Sequence, residues 1–151
     1  MNTNKYIPYN LTELTDNSLN LIITNGLFNG YGINSINITN NGNLKRIEIG
    51  NNTYVGVRVF NLDGLNELES VLIGNGKDPL TYGEFTKRDD GLYRVMTCPK
   101  LKSIKIGALS YYNYKYFELN NLPSLQSIDI GNRCFCWGPI FSLTSMNEGV
   151  S

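Results

Sequence analysis

A heptad with nearly the same spelling occurs four times in this chain of 151 residues. The copies read LKRIEIG from Leu44, LESVLIG from Leu68, LKSIKIG from Leu101 and LQSIDIG from Leu125. Their spacings are 24, 33 and 24 residues, so the middle interval equals one step of 24 with nine further residues. Self-similarity at a fixed period of roughly 20 to 50 residues indicates an array of stacked repeats.

A second element keeps the same step. An apolar-polar-apolar triplet precedes the heptads by eight residues at Ile36-Asn37-Ile38, Phe60-Asn61-Leu62 and Phe117-Glu118-Leu119. Both elements alternate apolar and polar residues, which is typical of strands, and no segment has the 3.6-residue apolar stripe of a helix. The sequence therefore predicts a mainly β, parallel β-solenoid with about 24 residues per coil, two short strands per coil and little helix.

The repeats also divide the chain. Residues 1–18 contain only a faint copy and are predicted to form an N-terminal cap or a decayed repeat, whereas residues 19–151 form the solenoid. The nine extra residues predict an insertion near 75–100. After Leu143 the next leucine is due at position 149, where Gly149 stands. An uncovered last coil exposes an apolar row and a strand edge, so self-association through the C-terminal coil is expected.

Charge and hydropathy argue against several classes of partner. The chain has 13 basic and 13 acidic residues and a formal net charge of zero, which does not favour nucleic acid or an anionic membrane surface. The apolar runs are too short to span a bilayer. The N-terminal residues contain no apolar stretch of the kind found in signal peptides. We therefore expect no nucleic-acid binding and no membrane span.

Catalysis is not expected either. The chain has no histidine, and it lacks the nucleotide-binding and serine-hydrolase motifs. A carboxylate pair remains, and Glu48 and Asp129 fall in one column of the predicted sheet. They are three coils apart, or about 14 Å at about 4.8 Å per coil, whereas glycosidase carboxylates lie roughly 5 to 9.5 Å apart. The prediction is a protein that is not an enzyme and holds no cofactor.

Three cysteines, Cys98, Cys134 and Cys136, do not form a recognisable metal set. The C-x-C spacing differs from that of zinc knuckles, and no histidine could complete the ligands. Phe135 is expected to point inward, so the two cysteines beside it face outward or into a turn. Partly exposed free thiols are the first interpretation, and a disulfide to Cys98 is the alternative.

The polar positions of the first strand are the main binding candidates. In stacked coils they form two columns on one sheet face, and from them we predict the partner-binding residues Arg46, Glu48, Leu72, Lys105 and Asp129. Repeat proteins commonly bind extended partners on such surfaces. The alternative is a solvated sheet face on which Lys105 and Asp129 form a cross-strand pair that contributes only about 0 to 1 kcal/mol.

A tyrosine-rich stretch, YYNYKYF at residues 111–117, supplies two further candidates. Alternation sends Tyr112 and Tyr114 to the same side, and tyrosine is enriched at interfaces because it joins apolar area to a hydroxyl group. We therefore add both residues to the predicted binding surface. The alternative is that these rings pack over the arc opposite the strand face.

The repeat resembles a leucine-rich repeat of the BspA-like subclass. The pattern L-x-x-I-x-I-x-x-N-x-aromatic is carried by Leu44, Ile47, Ile49, Asn52 and Tyr54. Later copies are Leu101, Ile104, Ile106 and Tyr111, and Leu125, Ile128, Ile130 and Phe135. The short period, the glycine after the strand and the NLPSL lead-in strengthen the likeness, which covers residues 19–143. Leu109 and Arg133 replace the pattern's asparagine in the later copies, so a regular asparagine ladder is not expected.

The resemblance implies a function by analogy of fold. Members of the subclass are mostly surface proteins of bacteria and protists and are often associated with adhesion to host proteins. It therefore implies a protein-binding or adhesion module at the cell surface, with a host surface or matrix protein as partner; without the resemblance, a cytoplasmic location is expected. The alternative function is that of a structural spacer within a longer repeat protein. Repeat folds serve many partners, so the partner itself is left open.

Overall fold

The computed structural model confirms a mainly β chain whose parallel strands stack as a β-solenoid. It describes residues 4–6, 19–23, 35–50, 58–74, 91–107, 114–132, 134–135, 138–147 and 149–150. These residues contain no helix. Partners in register stand 24 residues apart in most coils and 33 apart where the chain is longer, as between Val59 and Leu92.

Two parallel sheets form the two sides of the solenoid. The six-stranded sheet runs in the order β1 Asn4–Tyr6, β2 Asn20–Ile23, β4 Arg46–Ile49, β6 Ser70–Ile73, β8 Ser103–Ile106 and β10 Ser127–Ile130. The five-stranded sheet runs in the order β3 Ser35–Thr39, β5 Val59–Asp63, β7 Leu92–Met96, β9 Tyr116–Leu122 and β11 Ile140–Met146. Each coil thus contributes one strand to each sheet, as the two alternating elements predict.

The core consists of inward columns that run along the stack. In the six-stranded sheet, isoleucine and valine fill it, with Ile47, Val71 and Ile104 buried in register. In the five-stranded sheet the column is aromatic. The ring of Tyr93 stacks on Phe60 at 5.1 Å and on Phe117 at 5.2 Å between centroids. One coil could not bury its own row, so stacking of neighbours supplies the apolar burial that stabilises the fold.

The corner after each strand of the five-stranded sheet has the same backbone conformation. Its first residue has a positive φ in every coil: Asn40, Gly64, Thr97, Asn121 and Ser145. The chain then returns a buried leucine to the core at Leu44, Leu68, Leu101 and Leu125. A local backbone bond closes the corner, for example from Leu101 N to Cys98 O at 3.2 Å. The leucine that opens each heptad is therefore the residue that seals a corner.

The glycine that closes the heptad serves close approach between coils. Gly107 N donates to Ile73 O over 2.6 Å, and Gly74 N donates to Ile49 O over 2.7 Å. A Cβ placed on Gly107 would lie 3.1 Å from Ile73 O and 3.3 Å from the Cα of Gly74. Glycine at this position therefore lets consecutive coils meet backbone to backbone.

The structure refines the predicted division of the chain. Residues 75–100 do not form one insertion, because β7 lies within them and pairs with β5 and β9 in regular register. The nine extra residues precede Gly91 and fall outside the described part. The predicted N-terminal cap contributes β1, which extends the six-stranded sheet beside β2. Residues 7–18, including the faint repeat copy, are not among the described residues.

The last coil exposes an apolar row, as its sequence predicts. Strand β11 pairs with β9 and with no other described strand. Its inward residues Phe141 and Leu143 are each 54% exposed, and Ile140 is 50% exposed. In the preceding coil, the equivalent residues Phe117 and Leu119 are buried.

Candidate functional site

The strand face consists of the outward residues of β4, β6, β8 and β10. Parallel register aligns them in two columns, one of Arg46, Ser70, Ser103 and Ser127 and one of Glu48, Leu72, Lys105 and Asp129. All five charged or apolar positions predicted on this face therefore lie where the alternation places them. Short strands suffice because hydrogen bonds to the next coil fix each backbone, so the face is a regular surface rather than a loop cluster.

The charges of the strand face are paired with one another. Arg46 Nη2 donates to Glu48 Oε2 over 2.9 Å on one strand. Lys105 Nζ lies 3.8 Å from Asp129 Oδ2 on the next strand, which confirms the cross-strand pair. All four side chains are more than a third exposed, so the pairs add little stability in water. They remain accessible to a polar partner.

Leu72 lies between these two ion pairs. It follows Glu48 and precedes Lys105 in the same column and is half-buried. Ile22 extends the column on the other side of Glu48, and it is also half-buried. The strand face thus alternates apolar side chains with charged groups of both signs, and its four charged residues sum to zero.

Another ion pair lies at the corner beside the strand face. Lys100 Nζ donates to both carboxylate oxygens of Glu67 at 2.8 Å. This hydrogen bond, with the nearby positive charge of Lys45 as a smaller cause, lowers the pKa of the Glu67 carboxyl group. Glu67 and Lys100 occupy equivalent positions in neighbouring coils, 33 residues apart. The corner therefore carries the same kind of opposite-charge pairing between coils as Lys105 and Asp129.

The tyrosine prediction is wrong for Tyr114. Its side chain is 6% exposed and belongs to the core, next to Gly91. A Cβ on Gly91 would lie 2.9 Å from the Tyr114 ring, so the glycine makes room for it. The residue precedes β9, and the strand alternation used to place it outward does not apply before the strand begins. Tyr112 lies outside the described residues.

Cys98 and Cys134 are free thiols with different surroundings. Cys98 is buried, its Sγ donates to Met96 O at 3.2 Å, and burial raises the pKa of the thiol to about 11. Cys134 is half-buried with Sγ 3.2 Å from Gly107 O. Phe135 points inward as predicted and is 3% exposed. Partial exposure is thus confirmed for Cys134, is wrong for Cys98, and concerns an undescribed residue for Cys136.

A polar ladder on the five-stranded sheet was not predicted as a surface feature. Asn61 Nδ2 donates to Asn37 Oδ1 over 2.7 Å, and Arg94 Nε donates to Asn61 Oδ1 over 2.9 Å. The Arg94 guanidinium lies 4.0 Å from Glu118 Oε2. The signal was the middle residue of each triplet, which is polar in every coil. Its members bond mainly to each other, so the ladder stabilises the sheet more than it offers free groups.

The described residues give no geometry for metal or acid–base catalysis. No group of three or more Cys, Asp or Glu residues among them could hold a metal ion. Glu48 and Asp129 are separated by β6 and β8, which agrees with the separation predicted for them. Within the same described ranges, no helix is long and apolar enough to cross a membrane.

Comparison with known proteins identifies no relative. No protein-family profile matches the chain, no curated protein is significantly similar to it, and no solved structure matches its fold. The functional inference therefore depends on the surface chemistry described above.

Proposed function

We propose that this chain is a non-catalytic recognition module that binds a protein through the strand face. The module is of the leucine-rich-repeat, BspA-like kind, and its role is adhesion at a cell surface, with a host surface or matrix protein as partner. The residues assigned to binding are Arg46, Glu48, Leu72, Lys105 and Asp129. The observation that supports the proposal most is Leu72, an accessible apolar residue at the centre of a rigid face of paired charges.

The chemistry of the face favours a folded or extended protein over a polyanion. Its two positive and two negative groups cancel, so nothing there concentrates phosphate or another strong anion. A protein partner can cover Leu72, remove it from water and exchange hydrogen bonds with the charged pairs around it. Protein interfaces commonly combine such an apolar centre with a polar rim.

A structural spacer is the second candidate. The specific observation for it is that the charges of the strand face already satisfy each other, so the face is complete without a partner. A spacer holds other elements apart and needs only the stacked core. The two functions differ in one property, because only recognition depends on the identity of the outward side chains.

The test is a binding experiment with substitutions confined to the strand face. Immobilised chain is exposed to a host-cell surface and matrix extract and, separately, to a cytosolic lysate. Alanine replaces Arg46, Glu48, Leu72 and Lys105 in one variant. A matched control replaces Thr39, Asn120 and Thr144, which point outward from the other sheet. Captured proteins are identified and then titrated in purified form against all three chains.

Recognition through the strand face requires a purified partner that binds the wild type and the control alike and the face variant at least about tenfold more weakly. Circular dichroism must show that both variants keep the β fold. A partner from the surface extract supports adhesion, and one from the lysate places recognition inside the cell. Equal binding to all three chains, or no partner at all, contradicts the proposal and favours the spacer.

A further inference from the structure

Strand β11 is an unprotected sheet edge. Its seven residues, IFSLTSM, carry no charge, whereas sheet edges in monomeric proteins are commonly protected by charged side chains, proline or a covering segment. The strand also ends the apolar columns of the core with Phe141 and Leu143 half exposed. Phe141 continues the aromatic column, with its centroid 5.3 Å from that of Phe117. Both the backbone edge and the apolar row therefore require a further strand.

The opposite end of the five-stranded sheet does not offer a matching surface. Ile36 and Ile38 of β3, which begin the same two inward columns, are 1% and 0% exposed. An apolar row that is already buried cannot cover Phe141 and Leu143 of another chain. Head-to-tail stacking into a filament is therefore disfavoured, and the surface that remains to cover β11 is a second β11.

We propose that two copies of this chain associate tail to tail through antiparallel pairing of β11 with β11, about a two-fold axis at Ser142. In this register Phe141 of one copy faces Leu143 of the other, and the reverse pair forms by symmetry. Directly opposed side chains in antiparallel pairs lie on the same side of the sheet, so all four residues remain inward. Ile140 faces Thr144 on the outward side. An isologous contact of this kind closes after two copies.

Two features of β11 fit this register. The strand is neutral, so its self-pairing brings no like charges together. Regular pairing with β9 runs from Ile140 to Thr144 and is interrupted at Ser145, where φ is 52°. The regular segment is therefore five residues long, and Ser142 is its centre. This inference concerns the end of the solenoid and does not depend on the strand face having a partner.

The oligomeric state tests the proposal directly. Light scattering during size-exclusion chromatography, over about 1 to 200 µM, is expected to show growth from one chain of 17.0 kDa to two and no further. Leu143→Lys places a charge against Phe141 of the partner and is expected to weaken the dimer at least about tenfold. Leu72→Lys, an equal change on the strand face, leaves the dimer intact.

Cross-linking tests the register without weakening the contact. Ser142→Cys places two thiols directly opposite each other, so diamide oxidation is expected to trap a covalent dimer. Thr144→Cys lies on the same strand and side, but its two copies are four residues out of register, or roughly 14 Å apart, and do not cross-link. The wild type, oxidised in parallel, controls for its own cysteines.

Several outcomes overturn the proposal. A mass of 17.0 kDa at every concentration excludes association. A series of higher multiples indicates a heterologous filament rather than a closed pair. A dimer that survives Leu143→Lys, or that cross-links through Thr144→Cys and not through Ser142→Cys, uses a different surface or register.

Discussion

Arg94 Nε donates a hydrogen bond to Asn61 Oδ1 over 2.9 Å, although the two residues stand 33 positions apart in the chain. The preceding bond of the same ladder, from Asn61 Nδ2 to Asn37 Oδ1, spans 24 positions. Both bonds join equivalent positions of adjacent coils. The register of the five-stranded sheet is therefore set by strand pairing and does not depend on how many residues connect the strands.

Asn61 is the centre of that ladder, so its replacement has a predictable cost. Asn61 is 8% exposed and bonds to both neighbours. Asn61→Ala is expected to lower the free energy of unfolding by about 1 to 3 kcal/mol, because it leaves the Asn37 oxygen and the Arg94 donor with lost partners. Urea denaturation measures the change. Asn120→Ala, exposed on the adjacent column, is the control and is expected to stay within about 0.5 kcal/mol.

The corner at Thr97 is expected to improve on substitution. Thr97 has a φ of 51°, a left-handed conformation that is strained for a β-branched residue. Two other coils have asparagine at this position, Asn40 and Asn121, which tolerates that conformation better. Thr97→Asn is expected to raise the free energy of unfolding by about 1 kcal/mol. Thr97→Val keeps the branching and should bring no gain; equal melting temperatures for the two variants would refute the strain argument.

Close contact between coils predicts unequal effects at two glycines. Gly107→Ala places a Cβ 3.1 Å from Ile73 O, so neighbouring coils must separate locally. We expect a loss of about 1 to 3 kcal/mol in the free energy of unfolding. Gly42→Ala is the matched control, because no atom lies within 4 Å of its added Cβ. If the two variants unfold at the same urea concentration, backbone contact at Gly107 does not limit the coil spacing.

Alkaline pH is expected to destabilise the fold through Cys98. Burial raises the pKa of this thiol to about 11 in the folded chain, whereas an unfolded cysteine ionises near pH 8.5. Between these values the unfolded state loses the proton first, so the folded state binds more protons and stability falls as pH rises. The loss is about 1.4 kcal/mol per pH unit and is complete above pH 11.

Urea titrations at pH 8, 9 and 10 measure this slope, and Cys98→Ala is expected to flatten it. Burial also raises the pKa of Tyr93, so a residual slope above about pH 10 is expected in both chains. The comparison is therefore made below that pH. Parallel slopes for wild type and variant between pH 8 and 10 would show that another group carries the dependence.

Most of the fold follows from periodicity. The heptads and triplets predict ten of the strands' partners because inward residues such as Ile47 and Phe60 must recur at each coil to be buried. Strand β7 was hidden in the supposed insertion, although Tyr93 precedes Leu101 by the same eight residues that separate Phe60 from Leu68. The extra residues before it drew attention away from a regular triplet.

The site was predicted less completely, for physical reasons. Alternation fixes the side of a strand on which Arg46 or Lys105 lies, and these positions were correct. It does not extend past the strand end, which is why Tyr114 was misplaced. Pairing between columns depends on side-chain rotamers, so the bond between Arg46 and Glu48 could not be read from their spacing alone.

The repeated left-handed corner makes the length of this protein a modular property. Each corner begins at an equivalent residue and closes with its own local hydrogen bond, so a coil needs only its two neighbours to be complete. Gene duplication or deletion of one repeat would therefore lengthen or shorten the recognition surface by one strand and leave the remaining coils unaltered. Evolution can adjust the reach of such a protein in whole steps without redesigning its core.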